Sequence, residues 1–201
     1  MARQLSKSEE SQKRVLDAAA RIFRDNGYAG TTMRAIAEAA NLKAGSIYYH
    51  YKSKDELIAA MLDLGITAVI TSVEETLETL PDDVSGREKI ECAIRAHISA
   101  IIAHGDYTLA TRRVFGQVPE EIRQQNLRLR DHYGAIWQDI LKQAKERGEL
   151  RQDANTTLAR LFILGALNWT AEWFSPKGGR SIDEVAREFG LIVCSGLFAK
   201  D

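Results

Sequence analysis

The sequence predicts an all-α protein, and three observations carry that reading. The 201 residues include only three prolines, Pro81, Pro119 and Pro176. The chain is rich in Ala, Leu, Ile, Glu and Arg, which lose little on entering a helix. Its apolar residues recur three and four apart, the period of a helix face. With 45% hydrophobic residues it can bury a real core, as one compact unit or as a small head on a larger body.

Met1–Gln12 is polar, with no signal-peptide core, and reads as a disordered tail or as an arm. In an arm, Arg3, Lys7, Lys13 and Arg14 could touch phosphates or a minor groove. A first helix is expected from about Ser8 or Glu9 to Asn26, with Val15, Ala19, Ile22 and Phe23 inward and Asn26-Gly27 as its stop. Tyr28 is expected to hold that helix on the next two. Thr31 and Thr32 offer hydroxyls to cap a short helix from near Met33, striped by Ile36, Ala37 and Ala40. Asn41 suits the turn that ends it. Another short helix is expected from about Lys43 to Tyr49, with Gly45 and Ser46 near its start and Ile47 as its core anchor. Ser53 and Glu56 match a capping box for a long helix reaching about Leu80.

After Pro81-Asp82-Asp83, Ser85 can cap a helix to about His104. Gly105-Asp106 opens a short one carrying Leu109, Val114 and Phe115. Pro119 suits the first turn of a seventh helix that ends near Arg147, before Gly148. Asn155 or Thr156 starts an eighth, to about Phe174, and Ser181 a ninth, to about Ala199. No uninterrupted apolar run reaches the ~18 residues a bilayer span needs, so no membrane helix is expected. Cys92 and Cys194 lie in apolar helical surroundings and read as reduced core thiols of a cytoplasmic protein. His97 and His104 sit two turns apart on one face, but no Asp, Glu or Cys cluster surrounds them, so neither metal nor cofactor is expected.

The net charge of −1 hides an asymmetry. Residues 1–54 carry ten Lys/Arg and five Asp/Glu, a net of +5, and the remainder carries seventeen and twenty-three, a net of −6. A basic head on an acidic body fits a DNA-binding module attached to something else. Residues 31–57, TTMRAIAEAANLKAGSIYYHYKSKDEL, suit a helix-turn-helix: two short helices, a tight turn, and a second helix small at its start and aromatic and basic after it. Small residues let the backbone lie close to base edges, and the following hydroxyl, imidazole and ammonium groups stand at phosphate height.

The stretch from about Arg14 to Leu62, VLDAAARIFRDNGYAGTTMRAIAEAANLKAGSIYYHYKSKDELIAAML, resembles the DNA-binding domain of TetR-family transcriptional regulators. That resemblance implies a nine-helix architecture: a three-helix DNA-binding head in residues 1–54 and a helical ligand-binding and dimerisation body in 55–201. It implies that Thr32 bonds a phosphate and that Arg34 reaches a base. Lys43, Ala44, Gly45 and Ser46 would head the recognition helix, Tyr48 and His50 would grip phosphates with Tyr49 beside them, and Lys54 would hold another. With Ala44-Gly45 at the tip, few base hydrogen bonds form there, and shape readout gains weight. The long fourth helix would carry motion between head and body.

Helices eight and nine mix small and large residues on faces that allow close approach, and the family implies a homodimer through them, with Leu161, Gly165, Phe189, Ile192 and Gly196 at the interface. The segment NWTAEWFSPKGGRSIDEVA is similar to one in TetR-family regulators that answer acyl-CoA thioesters. An effector pocket would draw on Phe115, Tyr133, Trp137, Phe162, Trp169 and Trp173, with Arg112 or Arg128 supplying positive charge. Aromatics at helical spacing also serve simply as core. Glu172 stands where some such regulators carry Arg, and its charge would oppose a CoA phosphate.

The expected function is a ligand-responsive repressor: a homodimer on an inverted-repeat operator, released by a hydrophobic small molecule, an acyl-CoA thioester being one candidate. The alternatives are an activator or a ligand-independent DNA-binding regulator and, more distantly, an α-helical interaction protein. No nucleophile–base set, glycine-rich phosphate loop or metal cluster points to an enzyme.

Overall fold

A computed structural model describes residues 6–198. The described residues form nine helices: α1 (Lys7–Asn26), α2 (Met33–Ala39), α3 (Ala44–His50), α4 (Lys54–Glu78), α5 (Gly86–Ala103), α6 (Gly105–Val114), α7 (Glu120–Glu146), α8 (Thr156–Trp173) and α9 (Ile182–Leu197). They contain no strand beyond one isolated antiparallel bridge between Leu150 and Phe198.

Local chemistry sets most of the helix ends. Thr32, Ser85, Asn155 and Ser181 each accept a hydrogen bond from the backbone N–H three residues on, as N-caps do. Ser6 does the same for α1 with Glu9 completing a capping box, so the helix begins inside the stretch expected to be an arm; Arg3 lies outside the described residues, as does the expected end of α9 at Ala199. At Ser53 the box is altered. The Glu56 N–H donates to Ser53 Oγ (3.1 Å), but the Glu56 carboxylate accepts from the Lys52 N–H (2.8 Å), one residue further back.

The chain divides into two compact units. One runs to Ile66 and resumes over Gly105–Leu129; the other holds Thr67–His104 and the chain from Arg130. The expected division after Lys54 therefore differs from the compact units, because α6 packs along α1 and brings the first part of α7 with it. Tyr107 Oη donates to Asp17 Oδ1 (2.8 Å), Arg24 pairs with Asp106, and the buried Asn126 donates to Asp63 (2.9 Å). Val15, Phe23, Ile36, Ile47, Leu57, Met61 and Val114 lie in this unit's core. In the second unit α5 packs on α8 and α9, burying Ile90, Ile94, Ile98 and Ile101 with Ile163, Leu167 and Val193. Each fully buried Ile is worth about 1.5–3 kcal/mol of transfer free energy.

α4 is long and apolar enough to cross a membrane by length and composition, a test that the core helix of a soluble protein also passes. Leu57, Ile58, Met61, Leu62 and Val73 of that helix are fully buried by protein, which accounts for its apolar character without a bilayer.

Candidate nucleic-acid interface and effector region

The turn between α2 and α3 is set by backbone hydrogen bonds. Asn41 takes a left-handed conformation (φ 56°). Its N–H donates to Glu38 O (3.0 Å), and the next N–H, of Leu42, reaches back to Ala37 O (2.9 Å). That is the Schellman pattern, with Asn in the place glycine usually takes. Ile36, Ala37, Ala40 and Ile47 are buried beneath it, and the buried Thr31 hydroxyl donates to Gly27 O (2.6 Å), closing the loop before α2. The two helices are thus held from below, leaving their outer face to solvent.

That outer face carries most of the residues expected to meet DNA. Arg34, Lys43, Ala44, Gly45, Ser46, Tyr48 and Tyr49 are all exposed. Tyr48 is 54% and Tyr49 81% exposed, uncommon for tyrosine in a folded domain. No side chain caps α3. A Cβ built on Gly45 would meet nothing within 4 Å, so the chain's own packing does not require a glycine there. Arg34, Ala37, Glu38, Asn41, Leu42, Lys43 and Ala44 line an open depression of about 460 Å³ beside the turn. Exposed Arg, Lys and Tyr around a helix whose tip admits close approach suit a polyanion with readable edges.

Three expected phosphate ligands have internal roles. Thr32 Oγ1 caps α2 by accepting from the Ala35 N–H (3.2 Å). His50 Nε2 lies 2.9 Å from Ser11 Oγ, tying α3 to α1. Lys54 Nζ donates to the carbonyls of Tyr28 (2.9 Å) and Thr31 (3.2 Å) and sits 4.0 Å above the Tyr28 ring. This ammonium locks the α1–α2 loop onto α4, and any phosphate contact must use its remaining donor. Tyr28 was expected to hold α1 on α2 and α3; its hydrogen bonds go elsewhere, its N–H donating to Gln117 Oε1 (3.0 Å) after α6 and its hydroxyl to Asp55 of α4. Burial, then that carboxylate, push the Tyr28 phenol up to about 12.

The residues expected to bind an effector fall into separate groups. Arg112, Phe115 and Arg128 belong to the first unit, with both arginines exposed. Tyr133 and Trp137 are buried in the second. There the Tyr133 hydroxyl lies 2.6 Å from Nδ1 of the buried His97. His97 Nε2 and Trp137 Nε1 are buried and make no hydrogen bond of proper geometry. Burial pushes the His97 imidazole down to about 3, only weakly opposed by Asn168, and pushes the Tyr133 phenol up. Phe162 (63%), Trp169 (51%) and Trp173 (46%) are exposed. They share the outer side of the last helices with exposed Leu158, Leu161, Leu191 and Ile192. Gly165 and Gly196 are exposed as well, with open space beside each, while Phe189 is half-buried against Trp173 (ring centroids 6.3 Å apart). His97 was legible only as an inward residue; its pairing with Tyr133 joins positions 36 apart and leaves no local signal.

Comparison with known proteins agrees with this geometry. Residues 15–61 match the family model described as bacterial regulatory proteins, tetR family, and residues 83–197 match the tetracyclin repressor-like C-terminal domain. The HTH-type transcriptional repressor KstR2 of Rhodococcus jostii (strain RHA1) is 27% identical over 184 residues, covering 91% of this chain and 89% of the relative. The structure of the ketosteroid transcriptional regulator KstR2 of Mycobacterium tuberculosis superposes with a TM-score of 0.84 at 22% identity, covering 98% of each chain. AibR in complex with isovaleryl coenzyme A and operator DNA superposes at 0.75 with 22% identity, covering 94% of this chain and 98% of that one.

Proposed function

The chain belongs to the TetR family of bacterial transcriptional regulators, and on that premise we propose that it is a ligand-responsive repressor. It binds an inverted-repeat operator as a homodimer in the cytoplasm and is released by a hydrophobic effector. The observation that carries DNA binding is the outer face of α2–α3, where Arg34, Lys43, Tyr48 and Tyr49 are exposed around an unobstructed Gly45. Arg34 and Lys43 reach base edges; Ser46, Tyr48 and Tyr49 grip phosphates; Ala44 and Gly45 let the helix tip approach. Thr32, His50 and Lys54 support them by fixing the helix ends and contribute phosphate contacts through the groups they have left. The reading part is residues 1–54, and the effector and dimer part is 55–201.

The dimer reading is supported by the exposed apolar side of α8 and α9. Leu158, Leu161, Phe162, Trp169, Leu191 and Ile192 are each more than half exposed on these two helices, and large apolar side chains gathered on exposed helices commonly mark an interaction surface. One short recognition helix reads few base pairs, and a two-fold pair reads an inverted repeat. The effector site is assigned to the body, with Tyr133 and Trp137 in its wall. An acyl-CoA thioester is the favoured class, supported by the likeness to AibR, whose structure holds isovaleryl coenzyme A and operator DNA. Effector and operator oppose each other because each favours a different state of one molecule.

The test is anisotropy of a labelled duplex titrated with the protein from low to high salt. A reader of this kind loses affinity along a straight line in log salt, with a slope of about −0.9 per phosphate contacted. No binding at low salt, or binding indifferent to salt, contradicts the reading.

A further inference from the structure

The loop that leads from α1 into α2 is tied down by side chains from other segments. Its backbone turns at Gly27 (φ 70°), whose N–H donates to Phe23 O (2.9 Å) and whose carbonyl accepts from the Thr31 hydroxyl (2.6 Å). Lys54 Nζ holds the carbonyls of Tyr28 and Thr31. The Tyr28 N–H donates to Gln117 Oε1 (3.0 Å), a side chain 89 residues further along the chain.

Gln117 is held in place for this contact. It follows α6, and its own N–H and that of Val118 both donate to Val114 O (2.7 and 3.1 Å). Val114 and Val118 are buried in the first unit's core, one before and one after the glutamine. Gln117 Nε2 donates to Arg113 O (2.8 Å), so the amide has one orientation: Tyr28 offers a donor and Arg113 an acceptor. Gly27 completes the fit. A Cβ there would stand 3.0 Å from Gln117 Oε1, and the left-handed φ favours glycine as well.

The side chain of Gln117 is exposed, so it adds little to the core; what it fixes is the position of Tyr28. Three residues separate Tyr28 from Thr32, whose hydroxyl caps α2, and Arg34 is the second residue of that helix. The loop has little slack, since a Cβ on Gly30 would come within 2.6 Å of Asn26 O. A shift at Tyr28 therefore moves the start of α2 and Arg34 with it. Base readout needs side chains placed to within about 0.5 Å, whereas phosphate contacts carry no sequence information.

We propose that Gln117 is a positioning residue for operator reading: through the Tyr28 N–H it sets the loop before α2 and so the placement of Arg34 against base edges. This rests on the reading that the outer face of α2 and α3 binds DNA. Gln117 leaves no signal in a periodicity count, because its partner lies at the other end of the first unit's sequence.

The experiment measures anisotropy of two labelled duplexes, one enriched from random DNA by the wild-type protein and one of random sequence. The full-length wild type, Gln117→Met and Gln117→Glu are compared, with melting curves for each. Met keeps the length and removes the acceptor; Glu keeps an acceptor for Tyr28 and adds a charge that weakens both duplexes alike. Gln117→Met should cut the preference for the enriched duplex by about three- to tenfold, the range of one hydrogen bond, while keeping random-duplex affinity and the salt slope. Gln117→Glu should retain most of the preference. Gln117→Asn, too short to reach Tyr28, repeats the test if the Met variant does not fold. The proposal is overturned if the acceptor-less variant lowers the melting temperature but keeps the preference, or if Met and Glu lose the preference equally. A wild type that enriches no duplex defeats the reading of the α2–α3 face, and this proposal with it; a wild-type preference left intact by Gln117→Met defeats the role of Gln117 alone.

Discussion

Acid should destabilise this protein through His97 before most of its carboxylates titrate. The imidazole is buried, and its pKa falls from an ordinary 6.5 to about 3. The folded state therefore refuses a proton that the unfolded chain accepts, so stability is full above about pH 6.5 and is lost as the pH falls towards 3. At ~1.36 kcal/mol per unit, the loss between pH 7 and pH 5 is about 2 kcal/mol. For a chain of this size that lowers the melting temperature by about 4–8 °C. The assay is urea unfolding at fixed protein concentration across that pH range, for wild type and for His97→Phe. The variant removes the His97 partner of the Tyr133 hydroxyl at every pH, so its absolute stability is lower, but its pH dependence should lose the same ~2 kcal/mol. Parallel curves for the two proteins would refute the reasoning and show that water reaches the imidazole.

Three further outcomes follow from the same geometry. Tyr48→Ala should weaken operator and random duplexes alike while leaving the salt slope nearly unchanged, since an uncharged phosphate contact carries no sequence information and releases no counterion; unchanged affinity removes that role. Gly45→Ala should stabilise the fold by up to about 1 kcal/mol, as nothing crowds the new methyl and the helix gains propensity, whereas Gly45→Leu should fold equally well and lose operator affinity. If α8 and α9 form the proposed dimer face, Ile192→Glu should yield monomers in equilibrium sedimentation and abolish tight operator binding while leaving the melting of each unit cooperative.

The helix ends could be read because their chemistry is local. Thr32, Asn41, Ser85 and Ser181 each act on backbone within four residues, so sequence alone placed them. Ser6 was missed because the polar start looked like tail. The outer face of α2–α3 was legible for the same reason: in so short a helix, an anchor such as Ile47 leaves its neighbours outward. What escaped reading depends on residues distant in the chain. Lys54 meets carbonyls 23 and 26 residues away, and His50 meets Ser11 across 39. Neither partner leaves a mark in a periodicity count. The aromatics of the last helices divide for a related reason. Trp137 and Trp169 occupy similar apolar patterns, yet one helix face turns to the core and the other to solvent, and the pattern by itself does not say what covers it.

The most direct test of the central claim is selection of bound sequences from random duplex DNA by the purified full-length protein. The account expects enrichment of an inverted repeat whose half-sites are spaced to match two recognition helices. The enriched duplex should lose its advantage over random DNA when Arg34 is replaced by alanine. Failure to enrich any sequence, with or without cell extract added, would contradict the claim that the exposed face of α2 and α3 reads DNA.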